Sequence, residues 1–91
     1  MTQYIGIIEI RNLLSDRRLY ISSDDTFSDC AKIRFQLDLG TYPLKSLQDD
    51  YNETGLELFI IHKVETLGAP AEKQLAIARW NSSCPQGSLY C

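Results

Sequence analysis

No stretch of this 91-residue chain approaches the ~20 consecutive apolar residues that a bilayer-spanning helix needs. Its opening, MTQYIGIIEIRN, has no basic residues ahead of its apolar run, and Glu9 and Arg11 interrupt that run early. A secretory leader is therefore not expected, and the default compartment is the cytoplasm. Cysteine is scarce and odd in number. Cys30, Cys84 and Cys91 fit no zinc spacing and no closed disulfide framework, so reduced thiols and no structural metal are expected. Positive charge is also short, with nine Lys and Arg against twelve Asp and Glu and a net charge of -3. Non-specific nucleic-acid affinity comes mostly from Lys and Arg neutralising phosphates, so a general phosphate-binding surface is not expected.

What remains is the composition of an ordinary globular domain, 44% hydrophobic and 23% charged, long enough for one modest core. YIGIIEIR (4 to 11) is β-branched on both faces and predicts a buried first strand. NLLSDRR turns through Asn12, Ser15 and Asp16, and RLYISS returns as the second strand of a hairpin. Thr26 with Asp29 reads as a helix start, and Phe27, Cys30, Ala31 and Phe35 at helical spacing predict the buried face of a first helix closed by Gly40. Thr41 and Pro43 start a short second helix carrying Leu44, Leu47 and Tyr51. LELFIIHKVE (56 to 65), apolar on both faces, predicts a strand internal to the sheet. Pro70 and AEKQLAIARW give a third helix, followed by a loop-like tail. The expected organisation is one domain over residues 1–81 with a C-terminal tail over 82–91.

That order, together with "GIIEIRN", "LYISS", "LGTYPLKSLQDDYNETG" and the following "LFIIHKVE", resembles the GIY-YIG nuclease family, in particular its small phage and intron-associated homing endonuclease domains, over roughly residues 5–80. The resemblance implies an α+β fold: a three-stranded, mainly antiparallel sheet with flanking helices in the order β-β-α-α-β-α. It also implies a site in which a tyrosine from each of the first two strands meets an arginine and a histidine or tyrosine from the first helix, while a third-helix glutamate holds a divalent metal.

Carried over by position, the site is depleted. Ile8 stands where the first tyrosine would be, and Tyr20 is kept. Ser22 replaces a glycine that would let a phosphate approach the backbone. Cys30 takes the arginine position, with Arg34 one turn further on. The metal glutamate would align near residues 77–80, yet no carboxylate follows Glu72. Groups of such a site act as a unit, so their joint loss implies a pseudo-enzyme with no cofactor.

On residue chemistry alone, Tyr20 reads as a packed strand tyrosine and Arg34 as a solvated or ion-paired helix arginine. His62 reads as a partly buried structural residue, Cys30 as a small buried hydrophobe, and Asp49–Asp50 as a solvated face. Trp80 divides evenly between core closure and a partner anchor. The favoured function is a non-catalytic binding protein of phage or mobile-element origin. It would engage, and inhibit, a host or defence protein through the former active-site face, with Tyr20, Arg34, Tyr42 and Trp80 converging as anchors. The alternatives are a residual nuclease or nucleic-acid binder using Tyr20, Arg17, Arg18 and Arg34 on one basic face, and a nucleotide-sequestering protein. A protein partner is expected ahead of nucleic acid, with no membrane partner, and a homo-oligomer stays open.

Overall fold

The computed structural model describes residues 5–83 and 89–90. Three strands form one antiparallel sheet: β1 (Gly6–Asn12), β2 (Arg18–Ser23) and β3 (Phe59–Thr66), in the spatial order β2-β1-β3. The helices are α1 (Thr26–Leu39), α2 (Lys45–Thr54) and α3 (Lys73–Ser83). Single 3-10 turns at Leu56–Leu58 and Pro70–Glu72 precede β3 and α3. The expected fold class and element order are those observed.

β1 is the central strand, and its alternation builds two cores. Ile8 and Ile10 point to one face, against Ile33, Leu37, Leu47, Tyr51 and Phe59 beneath α1 and α2. Ile5 and Ile7 point to the other, with Tyr20, Leu67 and Ala76 beneath α3. Such two-sided burial explains why β1 reads as continuously apolar.

LELFIIHKVE does not lie inside the sheet; β3 is an edge strand, and its first three residues are the 3-10 turn. α1 covers one of its faces, α3 meets the other only at Val64 and Glu65 while Ile60 and His62 stay exposed, and its outer hydrogen-bonding edge has no further strand among the described residues. A register shift against Ile7/Ile8 leaves Val64 without an opposite residue. Glu9 pairs with His62 and Ile7 with Glu65, so this irregularity puts both His62 and Glu65 on the α3 face.

The first helix is rotated from the sequence expectation. Its buried positions are Thr26, Ile33 and Leu37, while Phe27 is 79% and Phe35 64% exposed. Its cap is also one residue earlier: Asp25 accepts from Ser28 N–H at 3.1 Å, and Asp29 instead accepts the Ser23 hydroxyl. Gly40, at φ 77°, closes the helix as expected. At the other end of the chain, the tail expectation meets a buried residue. Tyr90 donates its backbone N–H to Arg18 O at 2.8 Å and its hydroxyl to Asp50, while Asn12 Nδ2 donates to that hydroxyl at 3.1 Å. Tyr4, Cys84 and Cys91 lie outside the described residues.

Candidate functional site

The sheet divides the residues that the sequence groups together. Cross-strand pairs share a face: Ile8 sits opposite Ile21, and Glu9 opposite Tyr20. Ile8 is fully buried toward α1 and α2, whereas Tyr20 turns toward α3. Positions 8 and 20 therefore look to opposite sides of the sheet.

Of the four expected anchors, the structure brings Tyr20 and Trp80 together, with ring centroids 5.3 Å apart. It places Arg34 and Tyr42 elsewhere. Arg34 lies beside Cys30, Asp38 and Ile61 in a groove between α1 and β3, and Tyr42 packs against the core under α1 and α2. The four do not converge on one surface.

Nor do the arginines of the nucleic-acid reading form one basic face. Arg17 lies 4.3 Å over the Tyr90 ring and 3.6 Å from Asp50. Arg18 bonds Asp16 at 3.1 Å, and the neighbouring Tyr20 hydroxyl, with Asp16, holds its guanidinium still more firmly protonated than usual. Arg34 is on the other helix face, with no carboxylate within 4.0 Å among the described residues.

On the α3 face the polar groups close on one another. The Tyr20 hydroxyl donates to Glu9 Oε2 at 2.8 Å, and Glu9 Oε1 lies 3.0 Å from His62 Nε2. Glu9 is the one carboxylate buried within the sheet, and these contacts stabilise it there. His62, expected to be partly buried, is exposed, with 48% of its side chain accessible. One turn of α3 away, Arg79 grips both oxygens of Glu65 at 2.8 and 2.7 Å, and the Trp80 indole donates to Glu65 Oε1 at 2.8 Å. Glu72 accepts the backbone N–H of Gly68 at 2.8 Å and of Ala69 at 3.1 Å.

This donor set does not fit a catalytic divalent metal. A hard cation needs several oxygens free to turn toward it. Here Glu9, Glu65 and Glu72 are each already held by protein donors, and Arg79 supplies the positive charge beside Glu65. The described residues include no group of three His, Cys, Asp or Glu side chains able to hold a metal. Cys30 is no better placed as a nucleophile, since partial burial and the nearby Asp29 raise its thiol pKa. Ser22, at the glycine position, is exposed near the strand end, and its φ is not in the left-handed region that would demand glycine.

Sequence reasoning missed Glu9, Glu65 and Arg79. A signal for the first was available: a lone carboxylate in an otherwise apolar strand requires a cross-strand partner. Asp50 was also misread as solvated, because both its partners, Arg17 and Tyr90, are distant in sequence.

The Trp80 bond, followed by that of Arg79, lowers the Glu65 carboxyl below its ordinary value of 4.5. A depressed acid contributes stability above its unfolded value and loses it as pH falls through the lower folded value. Trp80 is the single tryptophan, so the emission reports its surroundings, of which the Glu65 bond and the Tyr20 ring are part. Emission should hold steady from neutrality down to 4.5 and shift red only below it, and Glu65→Ala should shift it already at neutrality. Emission in Glu65→Ala identical to the wild type at neutrality would show that the contact does not form.

No protein-family model matches the chain, and no curated protein matches it. Solved structures do. One is the catalytic domain of the homing endonuclease I-TevI, with a TM-score of 0.72 and 26% identity over 96% of this chain and 98% of that one. Another is the catalytic domain of the intron endonuclease I-TevI carrying a glutamate-to-alanine substitution, with a TM-score of 0.68 and 27% identity over 89% of this chain and 79% of that one. The architecture is accordingly GIY-YIG-like, with the same three-stranded sheet and flanking helices.

Proposed function

We propose that this chain is a non-catalytic domain on a GIY-YIG-like scaffold that binds a protein, and that its working surface is the exposed stripe of α1 alongside β3. The exposed apolar stripe of that helix carries the reading. Phe27, Ala31 and Phe35, spaced four residues apart, stand in solvent together with Leu39, while a second stripe holds the helix to the sheet. Large exposed side chains aligned on one face of a small domain mark an interaction surface. The mutually bonded groups beneath α3 support the non-catalytic half, since Glu9, Glu65 and Glu72 each already accept hydrogen bonds from protein donors in place of a metal ion. Binding of this kind would serve the inhibition of a host or defence protein.

A nuclease or nucleic-acid-binding role is the second reading, favoured by the likeness to endonuclease catalytic domains at 26% and 27% identity. A Mn²⁺ titration followed by amide NMR separates the two. Paramagnetic broadening should be weak and scattered over exposed carboxylates. Saturable broadening centred on Glu9, Tyr20 and Glu65 would sink the proposed function.

A further inference from the structure

Two adjoining cavities, of about 450 and 410 Å³, share Cys30 and Ala31 and run between α1 and β3. Phe27 and Lys63 line one end, and Arg34, Asp38 and Ile61 the other. The helix and strand run in opposite directions along this groove. From Phe27 to Asp38 the helix advances ~16 Å at 1.5 Å per residue, which is room for about five residues of extended chain.

Two observations say what fits. The outer edge of β3 has no strand paired to it among the described residues, so its backbone donors and acceptors face outward beside the groove. In addition, Arg34 and Lys63, one on each wall, have no carboxylate within 4.0 Å among the described residues; of the other seven Lys and Arg only Lys32 and Lys45, neither of which lines the groove, share this state. The groove's own carboxylate, Asp38, is engaged by the Tyr51 hydroxyl. A lysine can guard a bare strand edge, but a guard needs no apolar groove behind it.

We propose that the groove between α1 and β3 takes an extended, acidic peptide segment of a partner protein as a fourth strand. Alternate apolar side chains enter the groove, and an Asp or Glu meets Arg34 and Lys63. This rests on the protein-binding reading above and names the chemistry of its partner.

The test is selection of random ten-residue peptides displayed on phage against the immobilised full chain. Enriched peptides should alternate apolar residues with Asp or Glu and lack Pro at the strand-pairing positions. An enriched peptide should bind the variant carrying Arg34→Glu and Lys63→Glu about tenfold or more weakly. Both residues are exposed, so the variant should melt like the wild type. N-methylation of alternate peptide amides, which removes strand donors and leaves the side chains intact, should weaken binding at least as much. Several outcomes overturn the proposal: no enrichment, enrichment in Lys and Arg, indifference to N-methylation, displacement by an oligodeoxythymidylate, or a dimer of the chain that excludes the peptide. Peptide binding alongside saturable Mn²⁺ broadening beneath α3 would remove the proposed function while leaving the groove standing. The absence of both would remove the groove alone.

Discussion

Gly6→Ala should lose about 3 kcal/mol of folding stability, because a Cβ at this position would lie 2.2 Å from the backbone oxygen of Glu65. That oxygen belongs to β3 beside the register shift, and a backbone atom cannot swing aside as a side chain can. Relief requires β1 and β3 to move apart at the end of the central strand. The melting midpoint should fall by roughly 10–20 °C for a domain of this size. Gly68→Ala is the internal control, since its Cβ would meet only Glu72 Oε2, at 3.5 Å, and should leave the midpoint almost unchanged. Equal melting of Gly6→Ala and wild type would mean that the strands are not spaced as described. The first glycine of the motif thus has a packing reason to persist here that is independent of any chemistry.

A second large effect is expected on putting a tyrosine back at the first strand. Ile8 is fully buried among Ile10, Ile33 and Leu37, so Ile8→Tyr adds volume to a filled core and leaves a hydroxyl without a partner. Overpacking and the unpaired hydroxyl together should cost about 4 kcal/mol. Ile8→Val, which only removes a methyl, should cost about 1 kcal/mol. The new ring would also face away from Tyr20, so no pair of tyrosines would be rebuilt. Denaturant titration reads both variants. A stable Ile8→Tyr protein would show an open site at this position and favour the nuclease reading.

The element order, the hairpin and the cap at Gly40 could be read from the sequence because each is set locally, by strand alternation, turn residues and a left-handed glycine. The orientation of α1 could not. Thr26, Cys30, Ile33 and Leu37 form one stripe at helical spacing, and Phe27, Ala31 and Phe35 form another. Periodicity alone does not say which stripe the sheet takes. The same holds for β3, whose apolar run says nothing of its position at the edge or of the exposure of Ile60. Burial of Tyr90 depends on Asn12, Asp50 and Arg18, contacts that exist only once the hairpin and α2 have packed. At the candidate site, Ile8, Ser22 and Cys30 could be read at their positions from the sequence. The Tyr20–Glu9–His62 and Arg79–Glu65–Trp80 contacts could not, because the register shift at Val64 that aims Glu65 at α3 leaves no mark in composition or periodicity.

Nicking of supercoiled plasmid by the full chain in Mg²⁺ and in Mn²⁺, with Tyr20→Phe alongside, tests the central claim most directly. No metal-dependent nicking above the buffer control, and no difference between the two proteins, is expected. Metal-dependent nicking by the wild type that is abolished in Tyr20→Phe would contradict it, because Tyr20 would then be a working catalytic group.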